Sequence, residues 1–149
     1  DAWRFDPSTG LWDGVLIGGP STTSVFVADH AGEIVGFAGG AMLEHPKYGL
    51  DAELVAIYLH REFQHAGLGR RLVGAVVEAE RAHGATGLIT WVIAGNKVAR
   101  AFYERLGGDL LVEQPFEWDG LNLVEVGYGW RDLAALTEAC RGETIAAKH

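Results

Sequence analysis

The stretch Gln64-His65-Ala66-Gly67-Leu68-Gly69-Arg70-Arg71 decides how this chain reads. Before it stand residues 52–60 (AELVAIYLH), rich in apolar and β-branched side chains. After it, in residues 67–83, Leu68, Leu72, Val76 and Ala79 recur at spacings of four and three, while Arg70, Arg71, Glu78, Glu80 and Arg81 supply a polar side. The first pattern predicts a strand and the second an amphipathic helix. A strand that passes through a glycine turn into a helix leaves the first N–H groups of that helix free, at the positive end of its dipole. Gly67 and Gly69 remove the Cβ atoms that would keep a ligand away, and Arg70 and Arg71 add positive charge. Such a turn suits a phosphate or pyrophosphate. Two phosphate motifs are excluded by spacing: Gly69 is followed by two arginines rather than the Lys-Ser/Thr of a P-loop, and the third glycine of a dinucleotide fingerprint is replaced by Leu72. A β-to-α turn that uses glycine only for its sharpness reads equally well at this point.

Working outward, apolar residues 25–28 and 34–43 flank Asp29-His30-Ala31-Gly32 and predict a hairpin. On the other side, Gly84 and Gly87 end the helix and residues 88–93 (LITWVI) read as a strand. Asn96 caps a second helix over 97–106, with Val98, Phe102 and Leu106 on one stripe, and Gly107-Gly108 stops it. Residues 110–118 and 121–128 are joined by Asp119-Gly120, a strong two-residue hairpin signal, and 130–139 read as a closing helix. Residues 1–24, rich in Gly, Pro, Ser and Thr and carrying Trp3 and Trp12, show no periodicity and are expected to be irregular. The sum is a mixed α/β sheet whose parallel part lies around the two central helices.

Composition narrows the function. At 149 residues the chain fits one domain, and 48% hydrophobic with 21% charged residues is globular rather than disordered. No apolar run approaches the roughly 18 residues that span a bilayer. Twelve Lys and Arg against 20 Asp and Glu leave a formal charge of −8, which argues against a nucleic-acid partner and leans mildly toward a cationic substrate. The lone Cys140 allows no intrachain disulfide, fits a reducing, cytoplasmic setting, and reads as a small apolar residue of the last helix. His60 and His65 lack the further ligands that would complete a metal set. Trp91 reads as core; Trp118 and Trp130 admit a substrate-mouth role, though packing explains them more simply. Glycine is the outlier, at 21 residues.

The second helix raises the specificity. Asn96, Ala99, Phe102, Tyr103 and Gly107 in NKVARAFYERLG, together with QHAGLG upstream, resemble the GNAT superfamily of N-acetyltransferases over about residues 24–130. The resemblance implies a mostly antiparallel mixed sheet with a splayed parallel pair at the coenzyme A site, flanked by helices. It implies acetyl-CoA as co-substrate, no metal, and direct transfer of an acetyl group to a primary amine of a small molecule or protein. The family's Gln/Arg-x-x-Gly-x-Gly/Ala motif, which binds the pyrophosphate, falls on Gln64, His65, Ala66, Gly67, Leu68, Gly69 and Arg70. The family's strand contacts, largely through backbone, fall on Ile57, Tyr58 and Leu59. Asn96 is implied to reach the pantetheine arm and Phe102 to wall it, and Arg105 is a solvated helix charge or a contact at the nucleotide end.

For the chemistry, the family tyrosine that protonates the leaving thiolate falls on Tyr103. A phenol near pKa 10 stays protonated above a thiol near 8.5, so it can donate; an amphipathic-helix packing role is the alternative. Glu53 occupies the strand position of a glutamate that some branches use as base, and base, ammonium binder and bystander are equally open from sequence. The whole chain, 1–149, is expected to be one acyl-CoA N-acyltransferase domain, with 1–23 a short or partial N-terminal region, 24–130 the core, and 131–149 a C-terminal helix and tail. The family's habit of pairing late strands makes a homodimer an expectation, and a non-catalytic acyl-CoA-binding domain, or an unrelated α/β nucleotide binder, remains the competing class.

Overall fold

The structure, a computed structural model, describes residues 22–64 and 67–141, with the backbone of 3–7 and 142–146. Among these residues seven strands and three helices follow one another: β1 (Trp3–Pro7), β2 (Ser24–His30), β3 (Glu33–Lys47), β4 (Leu50–Leu59), α1 (Leu68–Ala82), β5 (Leu88–Ile93), α2 (Lys97–Arg105), β6 (Asp109–Trp118), β7 (Leu121–Trp130) and α3 (Leu133–Ala146). One 3-10 turn, Arg61–Phe63, sits between β4 and α1. The strands form one sheet in the order β1-β2-β3-β4-β5-β7-β6. Every pairing is antiparallel except β4 with β5. This is the expected mixed sheet with a parallel pair at its centre.

Four expectations need correction. The N-terminal region is not wholly irregular: β1 pairs antiparallel with β2, from Trp3 opposite His30 to Pro7 opposite Phe26. The pentapeptide WRFDP carries no strand pattern of its own; the open hydrogen-bonding edge of β2 supplies the template, and an edge tolerates Pro7. Trp12 lies outside the described residues. The closing helix begins at Leu133 rather than 130, because β7 runs on through Trp130, whose buried indole donates from Nε1 to the Leu106 carbonyl at 3.1 Å. Finally, Glu80 is not on the polar side of α1 but fully buried, and Val98 is 73% exposed rather than part of a buried stripe with Leu106.

The core lies between the sheet and α1. Leu68, Leu72, Val73, Val76 and Val77 are buried against Ala28, Val35, Ala38, Ala52 and Leu54. Each such Leu contributes about 1.5–3 kcal/mol of apolar burial. Gly40 of β3 permits this approach, since a Cβ there would come within 2.5 Å of Val76 Cγ1 and 3.0 Å of the Glu53 carbonyl oxygen. α3 packs on the outside of α1, with Cys140 over Gly74. Burial pushes the Cys140 thiol up to about 12, so it stays a neutral core group.

Glu80 accepts a hydrogen bond from the Ser24 hydroxyl at 2.5 Å. Burial raises its carboxyl above the ordinary range, against the opposing pull of Ser24 and His83. The folded chain therefore keeps a proton that the unfolded chain releases at about pH 4.3, and stability falls as pH climbs through the raised value. Glu80→Gln retains an acceptor for Ser24 and has no proton to lose. In paired thermal melts its Tm should exceed that of the unchanged chain at pH 8, and the gap should close toward pH 4.

Candidate active site

β4 and β5 pair for three residues only, Ala52 with Leu88, Glu53 with Ile89, and Leu54 with Thr90. Asp51 fixes where that pairing starts. Its carboxylate accepts from the backbone N–H of Thr86 at 2.9 Å and of Gly87 at 3.0 Å, and from the Thr86 hydroxyl at 3.1 Å. Burial alone would raise this carboxyl, but the hydrogen bonds from Thr86 and Gly87 outweigh it and hold it below the usual range. Beyond Leu54 the strands part. β5 stays with β7, and β4 stays with β3 through a bulge: Gly40 faces Leu54 and Gly39 faces Ala56, so Val55 stands unopposed. The extra residue slips the side-chain alternation by one. Ile57 and Leu59 therefore take the helix-facing side that Ala52 and Leu54 hold earlier. Tyr58 turns to the other face, with its ring 5.6 Å from that of Phe37.

The gap opens into a cleft of about 490 Å³. Ile57 and Leu59 line one side, Asn96, Ala99, Phe102 and Tyr103 the other, and Gln64 and Gly69 the end next to α1. A second hollow of about 320 Å³ shares Gln64, Gly69 and Phe102 with it and adds Gly67 and Arg70. Gly67 caps α1 in the left-handed conformation (φ 75°), with no side-chain hydrogen bond to the helix start and no acidic residue in the first turn. The Nε of Arg70 is buried without a hydrogen-bond partner. A Cβ at Gly69 would press to 3.3 Å of the Phe102 ring and narrow the passage. Arg61 and Arg105 line the cleft as well. An uncapped helix start, an orphaned guanidinium nitrogen and two further arginines fit an anionic ligand group here. Leu68, by contrast, is buried in the core, so its side chain does not face such a ligand. Gln64 donates from Nε2 to the Leu59 carbonyl at 3.2 Å, which ties the loop to the end of β4. His65 and Ala66 lie outside the described residues.

α2 is held firmly against the sheet. Asn96 Oδ1 accepts from Ala99 N–H at 3.1 Å, the expected N-cap, and the same residue faces the cleft. Arg100 donates from Nε to the Tyr128 hydroxyl at 3.0 Å and from a terminal nitrogen to the Ala94 carbonyl at 3.0 Å. The Tyr128 hydroxyl donates in turn to Glu104 at 2.6 Å. Between these anchors Tyr103 is buried, with its ring edge-on to Trp130 at 5.9 Å. Burial raises its phenol, and a hydrogen bond with Thr90 pulls it partly back. Thr90 donates to the Leu54 carbonyl at 3.0 Å, and Leu54–Thr90 is the last residue pair before the strands part. The Tyr103 hydroxyl therefore stands at the fork. Glu53, one residue earlier, faces the opposite side of the sheet. Burial raises its carboxyl, Lys47 lowers it and Glu125 raises it again.

A sheet splayed at a central parallel pair, with a glycine-started helix at one end of the gap, matches known proteins. The model of the acetyltransferase (GNAT) family matches residues 4–108. The chain belongs to the GNAT family of acetyltransferases. It is 40% identical over 117 residues to YuaI of Bacillus subtilis strain 168, an uncharacterised N-acetyltransferase, covering 78% of this chain and 67% of that protein. Among solved structures, nourseothricin acetyltransferase superposes with a TM-score of 0.73 at 18% identity, over 87% of this chain and 98% of that one. YncA of Salmonella typhimurium, described as an acetyltransferase and solved with its cofactor acetyl-CoA, gives 0.65 at 14% identity, over 88% and 94%. Among the described residues no helix is long and apolar enough to cross a membrane.

Within this GNAT fold, Ile57, Leu59, Gln64, Gly67, Gly69, Arg70, Asn96, Phe102 and Tyr103 come together along one cleft. The side chain of Tyr58 does not join them. Thr90, Arg61 and the Val55 bulge carry no motif in the sequence; Val98, exposed in the first turn of α2, lines the cleft rather than the core. The Tyr103 assignment to the fork has a spectroscopic consequence. The absorbance difference between the unchanged chain and Tyr103→Phe should show a phenol ionising above the ordinary value of about 10. In Thr90→Val, which lacks the bond that opposes burial, that ionisation should move further up.

Proposed function

We propose that this GNAT chain transfers the acetyl group of acetyl-CoA to a primary amine of a small molecule or protein, with Tyr103 and Glu53 as its proton-handling groups. The observation that carries this is the placement of the Tyr103 hydroxyl: it lies at the fork of β4 and β5, in the wall of a cleft whose other end is an uncapped, arginine-lined helix start. Gly67, Gly69 and Arg70 would hold the diphosphate. Ile57 and Leu59 on one side, and Asn96 and Phe102 on the other, would line the pantetheine arm. When bound, acetyl-CoA supplies an acetyl group already activated as a thioester.

The remaining tasks fall to the chain. The amine must shed a proton before its nitrogen can bond to the acetyl carbon. Glu53, whose carboxyl burial holds above the ordinary range, is suited to take that proton directly or through water. As the carbon–sulfur bond breaks, the sulfur leaves as a thiolate. Tyr103, kept protonated by burial, gives its proton to that sulfur and recovers one through solvent from the nitrogen, which sheds its second proton once bonded to the acetyl carbon; Glu53 releases the first proton to solvent, so the products are the amide, the CoA thiol and one net proton.

Two experiments test this. Acetyl-CoA and CoA should raise the Tm while ATP and NAD should not. Tyr103→Phe should lower kcat about a hundredfold or more, as loss of a general acid does, while the KM for acetyl-CoA stays put. Binding of acetyl-CoA with no transfer to any amine would instead mark a non-catalytic acyl-CoA-binding domain. In a pH–rate profile the acidic limb should lie above the ordinary glutamate range and vanish in Glu53→Gln. A limb that stays where it was removes Glu53 from the base role.

A further inference from the structure

The face of the sheet opposite α1 and α2 carries a separate hollow of about 470 Å³, a volume typical of small-molecule sites. It lies along β5, β6 and β7, beside the stretch of β5 that β4 has left. Its floor is Trp91. That ring can lie down over β7 because residue 127 is glycine: a Cβ there would come within 3.1 Å of the indole. Phe116, Leu123 and the solvent-exposed Trp118 form the walls, all from the β6–β7 hairpin. Val92 and Ile93 of β5 add apolar surface, and one carboxylate, Glu125, completes the lining; Gln114 donates to it from Nε2 at 2.6 Å. No Lys or Arg is among the lining residues.

Glu125 and Glu53 share this face of the sheet, and the charge of Glu125 reaches Glu53. Two indoles and a phenyl ring around a carboxylate, with no cation in the lining, recognise one kind of molecule: an ammonium borne on an apolar body. The ring faces attract the cation and bury the body, and the carboxylate pairs with the charge. The same lining disfavours a zwitterion, whose carboxylate would face Glu125 with nothing to neutralise it.

We infer that the acceptor is a small cationic primary amine on an aromatic body, seated in this hollow with its ammonium on Glu125, on the face of the sheet that Glu53 shares. The inference deepens the acetyl-transfer reading and rests on it for the chemical step, but binding in the hollow does not require acetyl-CoA.

The experiment uses the full chain with tryptamine and 2-phenylethylamine as probes, and spermidine and tryptophan as comparators. Binding is followed by saturation-transfer NMR and turnover by CoA release. Both aromatic amines should bind, and their KM should lie about tenfold or more below those of spermidine and tryptophan. Trp118→Ala is a safe variant because that side chain is 63% exposed. It should raise the KM for tryptamine and leave that for spermidine unchanged. Glu125→Gln should raise the tryptamine KM about tenfold, with the KM for acetyl-CoA and its Tm shift untouched. Preference for spermidine or tryptophan, or a tryptamine KM indifferent to both variants, overturns the inference. If acetyl-CoA fails to bind, the transfer reading falls; tryptamine binding that both variants weaken still supports the hollow, and binding that neither weakens sinks it.

Discussion

Everything at the candidate site depends on β4 and β5 parting company after three residue pairs. A parallel pair inside a continuous sheet would normally zip on to its end, because each further pair satisfies backbone groups that burial would otherwise penalise. Here two local features prevent it. Asp51 pins the start of the pairing to the Thr86–Gly87 turn, and the unopposed Val55 bends β4 away immediately after Leu54. β5 is meanwhile committed to β7 over its whole length. The wedge that results opens toward the helices as the cleft lined by Ile57, Leu59, Asn96 and Tyr103.

The helices turn that wedge into a site. α1 contributes its bare N-terminus at the wide end, and α2 lays Phe102 and Tyr103 along the wall. The position of Tyr103 is over-determined. Arg100 and Glu104 lock α2 to Tyr128, Trp130 locks the end of α2 through the Leu106 carbonyl, and Thr90 meets the phenol from the sheet. In the proposed acetyl transfer a proton donor gains from this rigidity, since its orientation need not be found anew in each turnover.

Charge is sorted across the same wedge. The chain as a whole is acidic, yet Arg61, Arg70 and Arg105 gather at the cleft on the helix side. Glu53 and Glu125 occupy the opposite face. On the proposed reading an anionic ligand and a cationic one would approach the two sides of one sheet, so net charge alone describes neither.

The sequence by itself determined the elements and the ligand-facing motif. The 3.6-residue period of α1, the Asp119-Gly120 hairpin, the Asn96 cap and the Gly67–Gly69 turn are local signals, because each is settled by sterics and hydrogen bonds within a few residues. The motifs at Gln64–Gly69 and Asn96–Gly107 carried the family for the same reason. What spans distance was decided only by tertiary structure. WRFDP becomes a strand because β2 offers an edge; Glu80 is buried because its helix face meets Ser24 and Gly40; Tyr58 leaves the cleft because a bulge three residues earlier reverses the alternation. Thr90, Trp91 and Glu125 belong to no motif, and they matter because chain segments far apart in sequence meet at one fork.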